Sequence, residues 1–259
     1  QKQRAFARQA ADRMFTRVVG KSVSLGRSSV SLQREFLEEA LRFYQELAEL
    51  AQEPDADDFA QQELAKTYRL IGEINLRLSR PAEAEQALSK AVDIAEKIAA
   101  EHPDQTAYQT DLAAIYYQLG NLNRRTSRPK ESEAFFRKSL AIQRKLAALF
   151  PSDSGYRQKI GTALINLGQR LMNTGRQSEA EEAFREARSV LEQVTAESPE
   201  AAHNHVALGG ALNNLAILVS QAGKSAEARD LLEEAIRHQR AALRINPRNQ
   251  QALIFLDNH

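Results

Sequence analysis

Prolines recur in this chain at Pro103, Pro151, Pro199 and Pro247, each 48 residues after the last. A second series, Arg80, Arg128, Arg176 and Lys224, keeps the same step, and each member opens a run rich in Glu and Ala. A sustained period of this length requires a stacked array, because one repeat cannot bury its apolar face without its neighbours. Such an array grows by addition, so 259 residues need not divide into one or two globular domains. With 11 Gly and 7 Pro in the whole chain, few residues interrupt regular structure. The function class that follows is a binding scaffold.

Apolar spacing predicts helix after helix. A first, over 3–19, carries Phe6, Ala10 and Met14 on one stripe, and a Gly/Ser-rich connector follows at 20–29. A second, over 31–52, carries Phe36, Leu37, Ala40, Leu41, Tyr44 and Leu47, with Pro54 and Asp55 closing it. Helical pairs are then expected at 56–78 with 81–101, 104–126 with 129–149, 153–174 with 177–197, and 200–222 with 225–245. The organisation read from this is a basic helix and connector (1–30), a leading helix (31–55) and four repeats (56–103, 104–151, 152–199, 200–247). Residues 248–259 read as the truncated start of a further repeat, because Leu256 falls where Leu112, Ile160 and Leu208 follow their prolines.

Superposing the four units shows what each position does. The first helices align Tyr68, Tyr116, Leu164 and Leu212, then Ile71, Leu119, Leu167 and Leu215, then Gly72, Gly120, Gly168 and Ala216. Glycine costs a helix interior about 1 kcal/mol relative to alanine, so three glycines at one position imply a close approach by another helix. The second helices align Ala84, Ser132, Ala180 and Ala228, followed by Leu88, Phe136, Phe184 and Leu232. Small residues facing large ones are what two interdigitating helices need.

At these residues the chain resembles tetratricopeptide repeats. That pattern, an aromatic, two residues, Leu-Gly, then a small residue, three residues and Phe, stands here as Tyr116-x-x-Leu119-Gly120 with Ser132-x-x-x-Phe136. Leu167-Gly168 with Ala180-x-x-x-Phe184 repeats it. The resemblance covers residues 56–245 and implies an all-α, right-handed α-solenoid of antiparallel helical hairpins. Two departures are plain: there is no tryptophan, and the period exceeds the family's usual 34 residues. Longer helices absorb the difference, as in the kinesin-light-chain variety, which Asn213-Asn214-Leu215-Ala216 with Gly223-Lys224 and Glu227-Ala228 also resembles. Ala10-Ala11-Asp12-Arg13-Met14-Phe15-Thr16 with Glu38-Glu39-Ala40-Leu41-Arg42-Phe43-Tyr44 is similar to the stretch that follows the kinase domain and membrane helix in bacterial Ser/Thr protein kinases with tetratricopeptide tails. That similarity implies the recruiting or sensory tail of a larger signalling protein.

The net charge of +1 hides an asymmetry. Residues 1–34 carry eight Lys or Arg against the single Asp12, so the rest of the chain is net acidic. A basic arm of this kind suits contact with an anionic membrane surface, and equally a solvated helix face. Nucleic acid is the weaker expectation, because the array is acidic and offers few aromatics for stacking. With no cysteine, disulfides and Cys-based metal sites are excluded, and no apolar run approaches the ~20 residues that span a bilayer. Gly20-Lys21-Ser22 and Gly223-Lys224-Ser225 mimic the end of a phosphate-binding loop, but Phe15 and Leu218 stand where its first glycine belongs. His203-x-His205 has the wrong helical spacing for a zinc pair and reads as surface histidines. No catalytic motif and no cofactor are implied.

In tetratricopeptide arrays the first helix of each pair lines the concave face, and its non-core positions meet the ligand. Carried over, the resemblance implies a peptide groove at Lys66, Arg69, Leu70 and Glu73, with Arg77 a turn further along. The second unit adds Ala114, Tyr117, Gln118, Asn121 and Arg124. The third and fourth add Thr162, Ile165, Asn166, Gln169, Asn173, Gly210, Asn213, Asn214 and Ile217. Asparagine donates and accepts together, so a row of them can hold a peptide backbone whatever its side chains, or can serve the packing of the helices themselves. The Asn and Lys clamp of chaperone-binding relatives is not reproduced: Leu70 and Gln118 stand at its asparagine positions. The alternative to a peptide groove is a structural module that oligomerises by stacking repeat ends.

Overall fold

The computed structural model describes residues 30–51 and 57–258, and helices are their only regular structure. The expected basic arm and connector at 1–29, and Pro54 and Asp55, lie outside the described residues. The helices are α1 (Val30–Leu50), α2 (Asp58–Arg77), α3 (Pro81–Glu101), α4 (Thr106–Arg125) and α5 (Pro129–Leu149). After them come α6 (Ser154–Asn173), α7 (Gln177–Glu197), α8 (Ala202–Gln221), α9 (Ser225–Ile245) and α10 (Gln250–Asp257). From α2 onward each period is a 20-residue helix, a three-residue link, a 21-residue helix and a four-residue link.

The three-residue links explain the second periodic series. Arg80, Arg128, Arg176 and Lys224 each donate a backbone N–H five residues back, to the carbonyls of Asn75, Asn123, Leu171 and Val219, at 2.8–3.1 Å. This is the six-to-one bond that closes a helix when the preceding residue turns left-handed. The left-handed residues are Ser79 (φ 61°), Ser127 (φ 57°), Gly175 (φ 78°) and Gly223 (φ 80°), again 48 apart. Glycine takes this conformation without penalty, whereas a Cβ at the two serines strains it. Side chains cap helix starts where the sequence provides them: Asp57, before α2, accepts from the Ala60 N–H at 2.8 Å, and at the ends of four-residue links Asp153 accepts from the Gly155 N–H at 2.8 Å and Asn249 from the Ala252 N–H at 3.0 Å. Pro81 and Pro129 open α3 and α5, where a missing N–H costs nothing.

The chain divides into two compact units, Gln1–Arg128 and Pro129–His259. In the first, α2 and α3 form an antiparallel hairpin, α1 packs on α2, α4 packs on α3, and α2 and α4 run side by side. Tyr44, Ile74, Leu88, Ile98, Ile115 and Leu122 are its most deeply buried large side chains. A Cβ on Gly72 would stand 2.6 Å from Leu88 Cγ, so the glycine marks the close approach that the repeat alignment predicts. Tyr116 ties α4 to α3 by donating its hydroxyl to Glu96 at 2.6 Å, and burial together with that carboxylate pushes the phenol pKa up.

In the second unit α6/α7 and α8/α9 are the hairpins, with α5 packed on α6, α7 on α8, α6 beside α8, and α10 on α9. Phe136, Leu164, Leu171, Phe184, Leu191 and Leu208 are deeply buried there. Gly168 repeats the close approach: a Cβ would lie 2.6–2.9 Å from three ring carbons of Phe184.

Ion pairs join successive second helices, three from the links and one, Arg185, from within α7. In the first unit Arg80 grips Glu38 of α1 with two bonds, at 2.5 and 3.0 Å, and Arg128 meets Glu85 of α3 at 2.6 Å. In the second, Arg176 bonds Glu133 of α5 at 2.7 Å and Arg185 bonds Glu227 of α9 at 3.0 Å. Two of the four, Arg128–Glu85 and Arg185–Glu227, are exposed and contribute about 0–1 kcal/mol each; the recurring spacing fixes register more than stability.

Candidate functional site

The candidate site is the wall that each unit's first helices present opposite their paired second helices. Because α2 lies beside α4, residues one period apart meet across it. Lys66 lies 3.0 Å from Glu63 and 3.4 Å from Asp111 of α4, and Gln62 donates to the same Asp111 at 2.6 Å. One turn on, Glu73 collects Arg69 at 3.5 Å, Arg77 at 3.0 Å and the Gln118 amide at 3.4 Å. The sequence-predicted residues Lys66, Arg69, Glu73 and Gln118 are thus brought together, but as an internally neutralised network. Glu63 and Asp111, which complete it, were not among the predicted positions. Their signal was available: Glu63–Lys66 and Arg69–Glu73–Arg77 have helical ion-pair spacing, and Asp111 lies close to one period from Gln62 and Lys66.

Beyond Glu73 the wall becomes cationic. Arg125 donates to the Leu76 carbonyl at the end of α2, and burial, with Arg124 and Arg77 beside it, holds its guanidinium below its ordinary pKa. Tyr117, Asn121 and Arg124 are half-buried, and Asn121 makes no side-chain hydrogen bond among the described residues. Leu70, placed in the groove by the resemblance, is 8% exposed and belongs to the core.

The predicted positions on the second unit's wall are all neutral. Asn166 donates to the Thr162 carbonyl of its own helix at 3.1 Å, and Thr162 in turn donates to Gln158 at 3.0 Å. Asn173, with its amide turned to donate to the Gln169 carbonyl at 3.2 Å, accepts from Arg170 at 2.9 Å. The side chains of Gln169 and Asn213 are half-buried and make no hydrogen bond among the described residues. Asn214 is buried, so the two asparagines that align at 166 and 214 are not equivalent: the first is half-exposed, the second enclosed. Gly210 has open space where a Cβ would stand, and Ile217, 39% exposed, lies two turns along the same helix.

Two side-chain clusters lie away from these walls. Asp58, Glu101 and His102 converge where α3 ends near the start of α2, with donor atoms within 4.8 Å of one another and an Asp58–His102 contact of 2.6 Å. His205, expected as a surface histidine, is instead half-buried against His238 of α9, at 2.9 Å between their Nδ1 atoms. The sequence offered His203 as its neighbour; the antiparallel hairpin supplies a different one. No described helix is long and apolar enough to cross a membrane.

The tetratricopeptide-repeat profile matches residues 63–145, which take in the α2/α3 hairpin and α4 whose glycine, tyrosine and buried leucines have just been placed. Over these residues the chain carries tetratricopeptide repeats. The chain has an all-α helical-repeat fold, and that fold supports a protein-interaction scaffold. The profile of the plant-specific mitochondrial import receptor subunit TOM20 matches residues 178–259. No curated protein matches the chain at a significant level. Among solved structures, BtubC (BKLC) from P. vanneervenii is similar over 94% of this chain and 91% of its own, at 18% identity and a TM-score of 0.64. A signal-transduction ATPase with numerous domains and a tetratricopeptide repeat sensor, from Pyrococcus horikoshii, is 19% identical, with a TM-score of 0.62. That match covers 87% of this chain and 30% of the ATPase. MamA is 16% identical over 85% of this chain and 98% of its own, with a TM-score of 0.52. At these identities the likeness is one of fold.

Proposed function

We propose that each unit of this chain captures an extended peptide segment of a protein partner along its first-helix wall. The observation that carries the reading is a set of half-buried amides on each wall, Asn121 in the first unit and Gln169 and Asn213 in the second, whose side chains have no partner among the described residues. Polar groups that are half withdrawn from water gain from a peptide backbone, which supplies donor and acceptor together. Gly210 leaves room for a backbone to approach α8, and Ile217 offers an apolar anchor on the same helix. The walls differ in chemistry: Lys66, Arg69, Arg77 and Arg124 with Glu73 suit a charged segment, whereas Gln169, Asn173, Asn213 and Ile217 suit a neutral one. Asn166 and Asn214 stay within this wall as flanking residues, since one is spent on its own helix and the other is enclosed.

The wider role is the recruiting or sensory tail of a larger signalling protein such as a membrane-anchored Ser/Thr kinase. The similarity of residues 10–16 and 38–44 to such tails supports it, and the basic arm would then lie next to anionic headgroups. A second reading, stacking of repeat ends into oligomers, is favoured by Leu253 and Ile254, 41% and 59% exposed on α10. Peptides selected by display on the whole chain test the first reading. Gln169→Ala with Asn213→Ala should weaken their binding by roughly 1–3 kcal/mol at unchanged helicity. Undiminished affinity refutes the wall, and a sedimentation mass that rises with concentration and falls in Ile254→Glu supports the second reading.

A further inference from the structure

His205 and His238 face each other across the α8/α9 hairpin with 2.9 Å between their Nδ1 atoms. Their ring centroids are 5.2 Å apart and tilted by 31°, so neither ring stacks flat on the other. The far nitrogen of His205, Nε2, lies 2.9 Å from the Pro199 carbonyl, which can only accept. His205 must therefore carry its proton on Nε2 and turn the Nδ1 lone pair toward His238, whose own Nδ1–H fills the gap. This is the outer arrangement of a metal-ligating histidine: one nitrogen donating to a carbonyl, the other bare and held in place.

We propose that His205 and His238 form a two-histidine site for one transition-metal dication of the zinc type, clamped between α8 and α9. Imidazole nitrogens suit zinc, copper and nickel and discriminate against magnesium and calcium. At Zn–N bonds of about 2.0–2.1 Å, two ligands on a tetrahedral ion stand about 3.4 Å apart. The present gap must open by about half an ångström, a displacement that a rotation of half-exposed rings supplies. The proton now on His238 Nδ1 moves through solvent to its Nε2, so both rings stay neutral and no net charge is lost. Water fills the remaining positions. The charged groups that bear on His238 are Arg237 of its own helix and Glu192 and Arg188 of α7. Arg188 is already paired, with Glu192 at 2.6 Å and Glu234 at 3.1 Å, so it presents little uncompensated charge to an incoming cation. Burial lowers the His238 pKa, and a neutral ring is the form that ligates.

The test uses the whole chain at pH 7.5 with Zn2+, with Mg2+ as control, read by the thermal midpoint and by calorimetric stoichiometry. We expect one equivalent of Zn2+ to bind and raise the midpoint, and Mg2+ to leave it unchanged. His205→Gln and His238→Gln should each weaken binding by more than the ~10-fold that losing an outer partner costs, with circular dichroism preserved. His203→Ala and His102→Ala should bind as the parent does. No midpoint rise, a rise that survives both glutamine variants, or one lost in His102→Ala overturns the proposal, the last transferring the ion to Asp58, Glu101 and His102. Should the glutamine variants unfold, Co2+ added to the parent chain decides: paramagnetic shifts on the His205 and His238 imidazole protons support the site, and shifts confined to His203 or His102 refute it.

Discussion

Three glycines of the second unit let backbone, space and packing be separated by one kind of substitution. Gly210 lies inside α8 with nothing within 4 Å of its Cβ position. Gly210→Ala therefore carries only the propensity gain and should stabilise by about 1 kcal/mol. Gly168 lies inside α6, where the same gain applies, but its Cβ would stand 2.6, 2.8 and 2.9 Å from ring carbons of Phe184. Carbon contacts relax near 3.5–4.0 Å, so the ring would have to retreat by about 1 Å. Phe184 is fully buried and has nowhere to go. Overpacking of this kind costs about 1–3 kcal/mol, so Gly168→Ala should destabilise by up to about 2 kcal/mol after its propensity gain. Gly175 has open space but a φ of 78°, so Gly175→Ala should lose about 1–2 kcal/mol to backbone strain alone. The chain's own fourth repeat supplies a rescue: it pairs Ala216 with Leu232 where the third pairs Gly168 with Phe184. Gly168→Ala with Phe184→Leu should be less unstable than the two single losses combined. Urea midpoints read by circular dichroism decide. A midpoint for Gly168→Ala that rises as Gly210→Ala does would refute the close-packed hairpin.

Ser79→Gly and Ser127→Gly should each stabilise the first unit by about 0.5–1 kcal/mol, since glycine removes the left-handed strain at only part of that cost in unfolded-chain entropy; a lowered urea midpoint would contradict the turn assignment. Acid should weaken the second unit in two stages. The lowered His238 pKa means the unfolded chain binds the proton more tightly, so stability is lost as pH falls below the ordinary histidine value of about 6.5, and His238→Gln should abolish that stage. Burial pushes the Glu133 carboxyl up, but hydrogen bonds from Arg137 and Arg176 outweigh it and hold the pKa down, so its contribution is present at neutral pH and fades only below about 4.3. Tyr116→Phe should cost the first unit roughly 1 kcal/mol by removing the bond to Glu96, measured as a lowered thermal midpoint.

Nearly every helix was legible because the same pattern is written four times, and four weak signals in register make a strong one. The glycine position showed itself by its cost, and the structure supplies the leucine and phenylalanine that explain it. What escaped was whatever depends on two residues being neighbours only after folding. Asp111 reaches Gln62 and Lys66 because first helices lie side by side, and no local pattern says so. Sequence spacing sets His205 beside His203, two residues away, whereas its partner in the fold, His238, lies 33 residues on across the hairpin. The family rule places Leu70 on the wall, whereas the fold buries it in the core. Ser79 and Ser127 hid the turn that Gly175 and Gly223 announce, because serine does not signal a left-handed residue.

Capture of partners on the first-helix walls can be read out directly. A photo-crosslinking residue placed at Tyr117 or Ile217, compared with one at Arg144 or Arg229 on the second helices, tests it most directly, using a display-selected peptide ligand and mass spectrometry to locate the link. Ligand should be attached through positions 117 or 217, competed away by excess peptide, and not through 144 or 229. Efficient, competable crosslinking at 144 or 229 with none at 117 or 217 would contradict it.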